Sequence, residues 1–298
     1  MADFKCDQAE GLRRLLERSR VRMMTLDAGC HGVGKTSAVI NVAAALAARG
    51  SRVLVIDENH GPANVSGLLG VRPQFELQHV IREDCALEDA LVPGPRGISI
   101  LGAANGARAL PGLRAVEQAR LIASFGCLDG RFDVVLVDTP CAQPDRTGLF
   151  THAVQDTIIV SSLAAHAITA SYALIKRLRN TGKSGASGRR FHLLLNRVGC
   201  ERNARVVIDN LKTAAQGYLA TPLECLGCVP NDSSLRYAVS GFQPVVEACP
   251  AAPAAAGYRR IAASIADWPH ARAQPHSLDS LMQRLLSPQR FTFANAGV

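Results

Sequence analysis

Between the apolar run Arg22–Leu26 and a long Ala-rich segment lies the octapeptide Gly29-Cys30-His31-Gly32-Val33-Gly34-Lys35-Thr36. It satisfies G-x-x-x-x-G-K-[ST], and with a strand before it and a helix after it few short patterns constrain a chain more. The glycines let backbone N–H groups wrap phosphates, and the helix that follows turns the positive end of its dipole toward them. Lys35 reaches the β- and γ-oxygens, and Thr36 offers its hydroxyl to Mg²⁺.

From Val21 onward, short β-branched runs alternate with longer helical patterns, the mark of βαβ units around a buried parallel sheet. Strands are predicted at Arg22–Leu26, Arg52–Ile56, Ile98–Gly102, Asp133–Val137, Thr157–Ser161, Phe191–Leu195 and Leu223–Val229. Helices are predicted at Thr36–Arg49, Ala115–Phe125, Ala167–Asn180, Ala204–Tyr218 and Ala252–Ala266. The expected fold is α/β: a doubly wound, mostly parallel sheet with helices on both faces. Residues 21–270 form that domain, with helical appendages at 1–20 and 271–298. Gly182–Gly188 reads as an exposed loop and Trp268–Gln274 as a linker.

Composition narrows the function classes. Aromatic residues make up 5% of the 298 and there is one Trp, too few for an aromatic platform that stacks sugars or single-stranded bases. The longest apolar runs, Val42–Ala48 and Ala251–Gly257, fall short of a membrane span. The first twenty residues carry charges throughout and lack a cleavage pattern, so a cytoplasmic location is expected. The nine cysteines show no framework spacing and read as reduced thiols. A net charge of +8 favours anionic partners without choosing among them.

Ligands of open α/β sheets sit beyond the carboxyl ends of the strands, which places Asp57 and Asp138 near the metal of a bound nucleotide. Asp138 is expected to orient Mg²⁺ through water, with Asp57 beside it. Each of these acids, taken alone, equally suits a cap on the loop that follows. Cys225 and Cys228 have the spacing of half a zinc ribbon, but no second pair accompanies them and core thiols are expected. The basic stretch from Lys176 to Arg205 reads mainly as a solvated helix face and loop, and specific DNA binding is not expected.

The octapeptide, the strand Val53–Asp57 with Gly61–Asn64, the turn Asp138-Thr139-Pro140, the strand end Leu194-Leu195-Asn196-Arg197 and the segment Leu226–Asp232 together resemble the MinD/ParA class of P-loop ATPases. The resemblance runs from about Val21 to Asp267 and implies a deviant-Walker P-loop fold with ATP and Mg²⁺ as ligands. It also implies that Asn196 contacts adenine, that Pro230 and Asp232 help enclose the base, and that an ATP-dependent homodimer forms. The chain departs from the class twice. Cys30 stands where the class has a Lys that reaches the partner subunit's nucleotide, with His31 replacing a Gly, and Asn59 stands where the class has the Asp that orients the attacking water. Slow or absent hydrolysis is expected, with Mg-ATP binding better preserved. No role follows from the sequence for Asp27.

The two ends carry further motifs. Asp7-Gln8-Ala9-Glu10-Gly11-Leu12-Arg13 resembles the D-Q-A-x-x-L-R motif of the FlhG (FleN, YlxH) branch of the same class. The resemblance implies that the motif, chiefly Asp7, Gln8, Ala9, Leu12 and Arg13, binds the signal-recognition-type GTPase FlhF, with Gln8 positioning water in trans. From periodicity alone, a frayed, charged helix folded onto its own domain is the slightly better reading. Beyond Ser277, the residues Leu278, Leu281, Met282, Leu285 and Leu286 recur on one helical stripe. This stripe fits either a weak peripheral membrane contact at the inner face of the membrane or packing onto the body or a partner.

The reading is therefore an ATP-binding flagellar regulator that stimulates an FlhF-type GTPase, with flagellar switch proteins or a flagellar transcription activator as further partners implied by resemblance. The rival is a ParA/MinD-type positioning ATPase that cycles on DNA or membrane by its own hydrolysis.

Overall fold

The computed structural model describes residues 21–141, 148–181, 189–268 and 277–287. Its strands are β1 (Arg22–Asp27), β2 (Val53–Asp57), β3 (Leu91–Pro93), β4 (Ser99–Gly102), β5 (Val134–Asp138), β6 (Asp156–Ser161), β7 (Arg190–Val198) and β8 (Leu223–Pro230). The helices are α1 (Lys35–Ala47), α2 (Val65–Leu68), α3 (Leu77–Ile81), α4 (Ala104–Ala109), α5 (Ala115–Gly126), α6 (Ala165–Thr181), α7 (Glu201–Leu219), α8 (Ser233–Ser240), α9 (Val245–Ala248), α10 (Pro253–Ala266) and α11 (Leu278–Leu286).

The eight strands form one sheet in the order β3-β4-β2-β5-β1-β6-β7-β8, parallel except where β3 pairs antiparallel with β4. The central strands are buried on both faces, which is why they read as unbroken apolar runs. Side chains alternate between two cores. Met24, Leu26 and Val55 face α1 and α10, whereas Met23, Leu54, Ile56, Val135 and Val137 join Leu121 and Phe125 of α5. A third cluster beneath α6 and α7 takes Leu193 and Leu195 of β7.

All seven predicted strands and five predicted helices are present, with ends shifted by a few residues. Three-residue β3 and the short helices α2, α3, α4, α8 and α9 lack enough length to display a period. Trp268, expected to begin a linker, is anchored. Its ring stacks on His192 at a centroid distance of 3.9 Å, and its carbonyl accepts a hydrogen bond of 2.7 Å from Arg22. The predicted Gly182–Gly188 loop and the segment 1–20, with Asp7, Gln8, Ala9, Leu12 and Arg13, lie outside the described residues.

The C-terminal stripe faces inward. Leu278, Leu281, Met282 and Leu285 are buried in the same core as Phe125, with Leu286 half-buried at its margin. Asp129 accepts a 2.7 Å hydrogen bond from the Leu278 N–H and holds the start of α11. The physical reason is that α5 exposes a matching apolar strip, so the packing alternative prevails here and the five residues present no free lipid-binding face. Among the described residues, no helix is long and apolar enough to cross a membrane.

Candidate nucleotide site

Three strands end side by side to form the floor of the site. In the β1–β5 register Leu26 pairs with Asp138, and in the β2–β5 register Asp57 pairs with Asp138. The loop from Gly29 to Gly34 arches over these ends and enters α1 at Lys35. Gly34 caps α1 at φ 84°, a left-handed conformation that disfavours any other residue, and a Cβ there would lie 2.4 Å from Asn196 Nδ2. At Gly29 a Cβ would lie 2.3 Å from the Ala170 carbonyl oxygen of α6.

Lys35 forms an ion pair with Asp138, both groups being buried. Burial pushes the Asp138 carboxyl up, opposed by the charge of Lys35. The second Asp138 oxygen has no partner. A buried cation and anion that satisfy each other only in part form a site that fits Mg²⁺ and phosphate: phosphates would take the lysine, and the water shell of a bound metal would take the free carboxylate oxygen. Among the described residues no group of three or more His, Cys, Asp or Glu could hold a metal by itself. Mg²⁺ in a phosphate-loop protein needs no such group, because phosphate and water supply most of its oxygens.

Asp57 is fully engaged. Its Oδ1 accepts from the Asn59 N–H at 2.9 Å and from Asn59 Nδ2 at 3.0 Å, while its Oδ2 accepts from the Val65 N–H at 2.6 Å. Burial, reinforced by the neighbouring charge of Asp138, raises its pKa to about 6. Asn59 Nδ2 also donates to the Asp138 carbonyl at 3.0 Å, so the amide braces the ends of β2 and β5 together. A carboxylate in its place could donate neither bond and would repel Asp57. Cys30 is half-buried against the α1 core, which raises its thiol pKa, whereas His31 and Gly32 are exposed.

Asn196 lies beneath the phosphate loop, donating from Nδ2 to the Val33 carbonyl at 2.9 Å and accepting from the Arg197 N–H. Asp232 spends one oxygen on the Ser234 N–H at the start of α8 and the other on the Ala254 N–H at the start of α10. These backbone bonds hold its pKa below the usual value. Pro230 ends β8 just before it. In this structure Asn196 and Asp232 therefore tie elements together, a task their sequence context did not reveal.

Two further acids escaped assignment from the sequence. Asp27 accepts from the Thr139 hydroxyl at 2.7 Å and from that of Thr151 at 3.4 Å, leaving its other oxygen without a partner. Glu58 accepts from the Leu149 N–H at 2.9 Å, and burial drives its pKa up to about 8. Together they hold the two ends of the segment that follows Asp138. Only the placement of both acids immediately at strand ends could have signalled it.

The sequence pattern of the CobQ/CobB/MinD/ParA nucleotide binding domain matches residues 28–245. The antiactivator FleN of Pseudomonas aeruginosa is 33% identical over 267 residues, covering 89% of this chain and 94% of that protein. The flagellum site-determining protein YlxH of Helicobacter pylori is 27% identical over 229 residues, covering 74% and 73% respectively. In fold, MinD of Pyrococcus horikoshii, solved with Mg-ADP, superimposes with a TM-score of 0.58 at 22% identity, covering 81% of this chain and 94% of that one.

Proposed function

Since the chain belongs to the FleN/YlxH (FlhG) branch of the MinD/ParA nucleotide-binding family, we propose that this MinD-like flagellar regulator is an Mg-ATP-binding switch with slow hydrolysis of its own. Nucleotide chemistry in this fold supplies a triphosphate whose charge is neutralised by Mg²⁺. Lys35 would release Asp138 to bind the β- and γ-oxygens of a bound triphosphate, Thr36 would hold Mg²⁺ through its hydroxyl, and Asp138 would orient the ion through water. Gly29 to Gly34 contribute backbone donors. By the family resemblance, Asn196 contacts the adenine, and Pro230 and Asp232 help to enclose it.

The observation that carries the slow-hydrolysis reading is the commitment of the Asn59 amide to Asp57 and Asp138. An amide accepts no proton from an attacking water. Cys30, half-buried and uncharged, adds no cation to the phosphates of a second subunit, which weakens an ATP-dependent homodimer as well as turnover. The rival, a positioning ATPase that cycles on DNA or membrane, requires efficient turnover.

The output of the switch is assigned to the N-terminal motif. Gln8, anchored through Asp7, Ala9, Leu12 and Arg13, stimulates an FlhF-type GTPase in trans. A flagellar transcription activator is a second partner, in keeping with the name antiactivator carried by the Pseudomonas relative. The test is a GTPase assay with FlhF and three additions: the full chain, the Gln8→Ala chain and a peptide spanning Asp7–Arg14. Stimulation by the full chain and the peptide but not by Gln8→Ala supports the reading, and equal stimulation by wild type and Gln8→Ala overturns it.

A further inference from the structure

We propose that Cys225 and Cys228 form a redox-active dithiol that a hydroperoxide closes to an intrachain disulfide on the open edge of the sheet. In a regular strand, residues three apart point to opposite faces. Here the β7–β8 register places Cys225 opposite Leu193, Gly227 opposite Leu194 and Cys228 opposite Leu195, so Leu226 is an extra residue accommodated by a bulge. The bulge compresses the C-x-x-C spacing to that of alternate residues on one face. Leu193, Leu195 and Cys228 share the cluster beneath α7, whereas Leu226 and Val229 point into the core on the other side.

Alternate strand residues have Cα atoms about 6.6 Å apart, at the upper end of the range of about 4.4–6.8 Å that disulfides adopt, so closure draws the two Cβ atoms together at the bulge. The two thiols lie close enough to shift each other's ionisation in opposite directions. Gly227 allows the bulge at φ 155°, and a Cβ there would meet Ile261 Cγ1 at 2.9 Å. Both cysteines are half-buried, and β8 is the last strand of the sheet, so a small oxidant reaches them from the edge.

The surroundings separate the roles of the two thiols. The neighbouring Cys228 thiol, the Lys212 ammonium and the Gly227 N–H together bring the Cys225 pKa down to about 6, against burial and Asp209. Burial, the charge of Cys225 and Glu201 hold the Cys228 thiol protonated, with Arg260 opposing. Cys225 is thus the attacking thiolate and Cys228 the resolving thiol. The Cys225 sulfur attacks one peroxide oxygen, the O–O bond breaks and the departing hydroxide takes up a proton as water, leaving a sulfenic acid. The Cys228 sulfur, giving up its proton, attacks the Cys225 sulfur and displaces hydroxide, which leaves as a second water. The thiol pair loses two electrons and the peroxide gains them. Transient disulfides of this kind are the redox-sensing form found in reducing compartments.

The test treats the reduced full-length protein with hydrogen peroxide, blocks the remaining thiols with N-ethylmaleimide and digests with trypsin. The fragment Thr213–Arg236 contains Cys225 and Cys228 and no other cysteine. The expected fragment is unlabelled and lighter by two hydrogen atoms, appears before the exposed Cys127 and Cys200 react, and becomes doubly labelled after dithiothreitol. With Cys228→Ser, a dimedone adduct is expected to accumulate at Cys225. A fragment still doubly labelled once Cys127 and Cys200 are oxidised overturns the proposal, as does a disulfide joining either residue to a cysteine elsewhere. So does dimedone labelling of Cys225 in Cys228→Ser that is no faster than that of Cys127.

Discussion

Asn59 Nδ2 lies 3.0 Å from Asp57 Oδ1, an amide donor set directly against the carboxylate at the end of β2. On the proposed reading, the same residue that withholds a general base from the water also stabilises the strand ends beneath the phosphate loop. Asn59→Asp reverses both effects. It removes two hydrogen bonds and adds like charge, lowering the stability of the nucleotide-free protein by about 1–3 kcal/mol in urea titration. In the background Cys30→Lys, the same change raises ATP turnover about 10²-fold or more in a phosphate-release assay.

Lys35→Ala leaves Asp138 buried without its cation. Stability falls by about 3 kcal/mol, and nucleotide affinity is lost in calorimetry. The double variant Lys35→Ala/Asp138→Ala regains most of the stability and none of the affinity. That split distinguishes a pair that serves a ligand from one that serves the fold.

Glu58 and Asp57 both contribute to the pH response, Glu58 over the wider range. The Glu58 pKa in the folded chain, about 8, lies above the ordinary glutamate value of 4.5. Between those two values the folded state holds a proton that the unfolded state has lost. The stabilising contribution is whole below the lower value and disappears as pH rises through the upper one. Apparent Tm of the nucleotide-free protein is expected to decline from pH 5 to pH 8 by roughly 3 °C or more, and Glu58→Gln flattens that slope.

The buried stripe of α11 predicts a stability effect where a lipid anchor predicts none. Leu281→Ala costs about 2–4 kcal/mol in chemical denaturation. Wild-type protein without nucleotide shows no excess over a soluble control in liposome flotation.

How far the sequence discloses this site depends on the range of each interaction. The phosphate loop is local, so its eight residues, the strand before it and the helix after it were all legible. Asp57 and Asp138 were legible because both end parallel strands. The contact of Asn196 with Val33 spans 163 positions, and only the sheet brings the two together, so no local pattern points to it. The paired acids Asp27 and Glu58 were missed for the same reason. Their partners Thr139, Thr151 and Leu149 come from a distant segment. The inward stripe of α11 could be seen as amphipathic but not as occupied, because periodicity reveals an apolar face without naming what covers it.

The most direct test of the central claim measures binding and cleavage in one sample, with calorimetry and phosphate release run on the same Mg-ATP mixture. The account predicts micromolar ATP affinity with turnover at least about 10²-fold below that of Cys30→Lys/Asn59→Asp. Absence of detectable ATP binding, or turnover equal to that of the double variant, would contradict it.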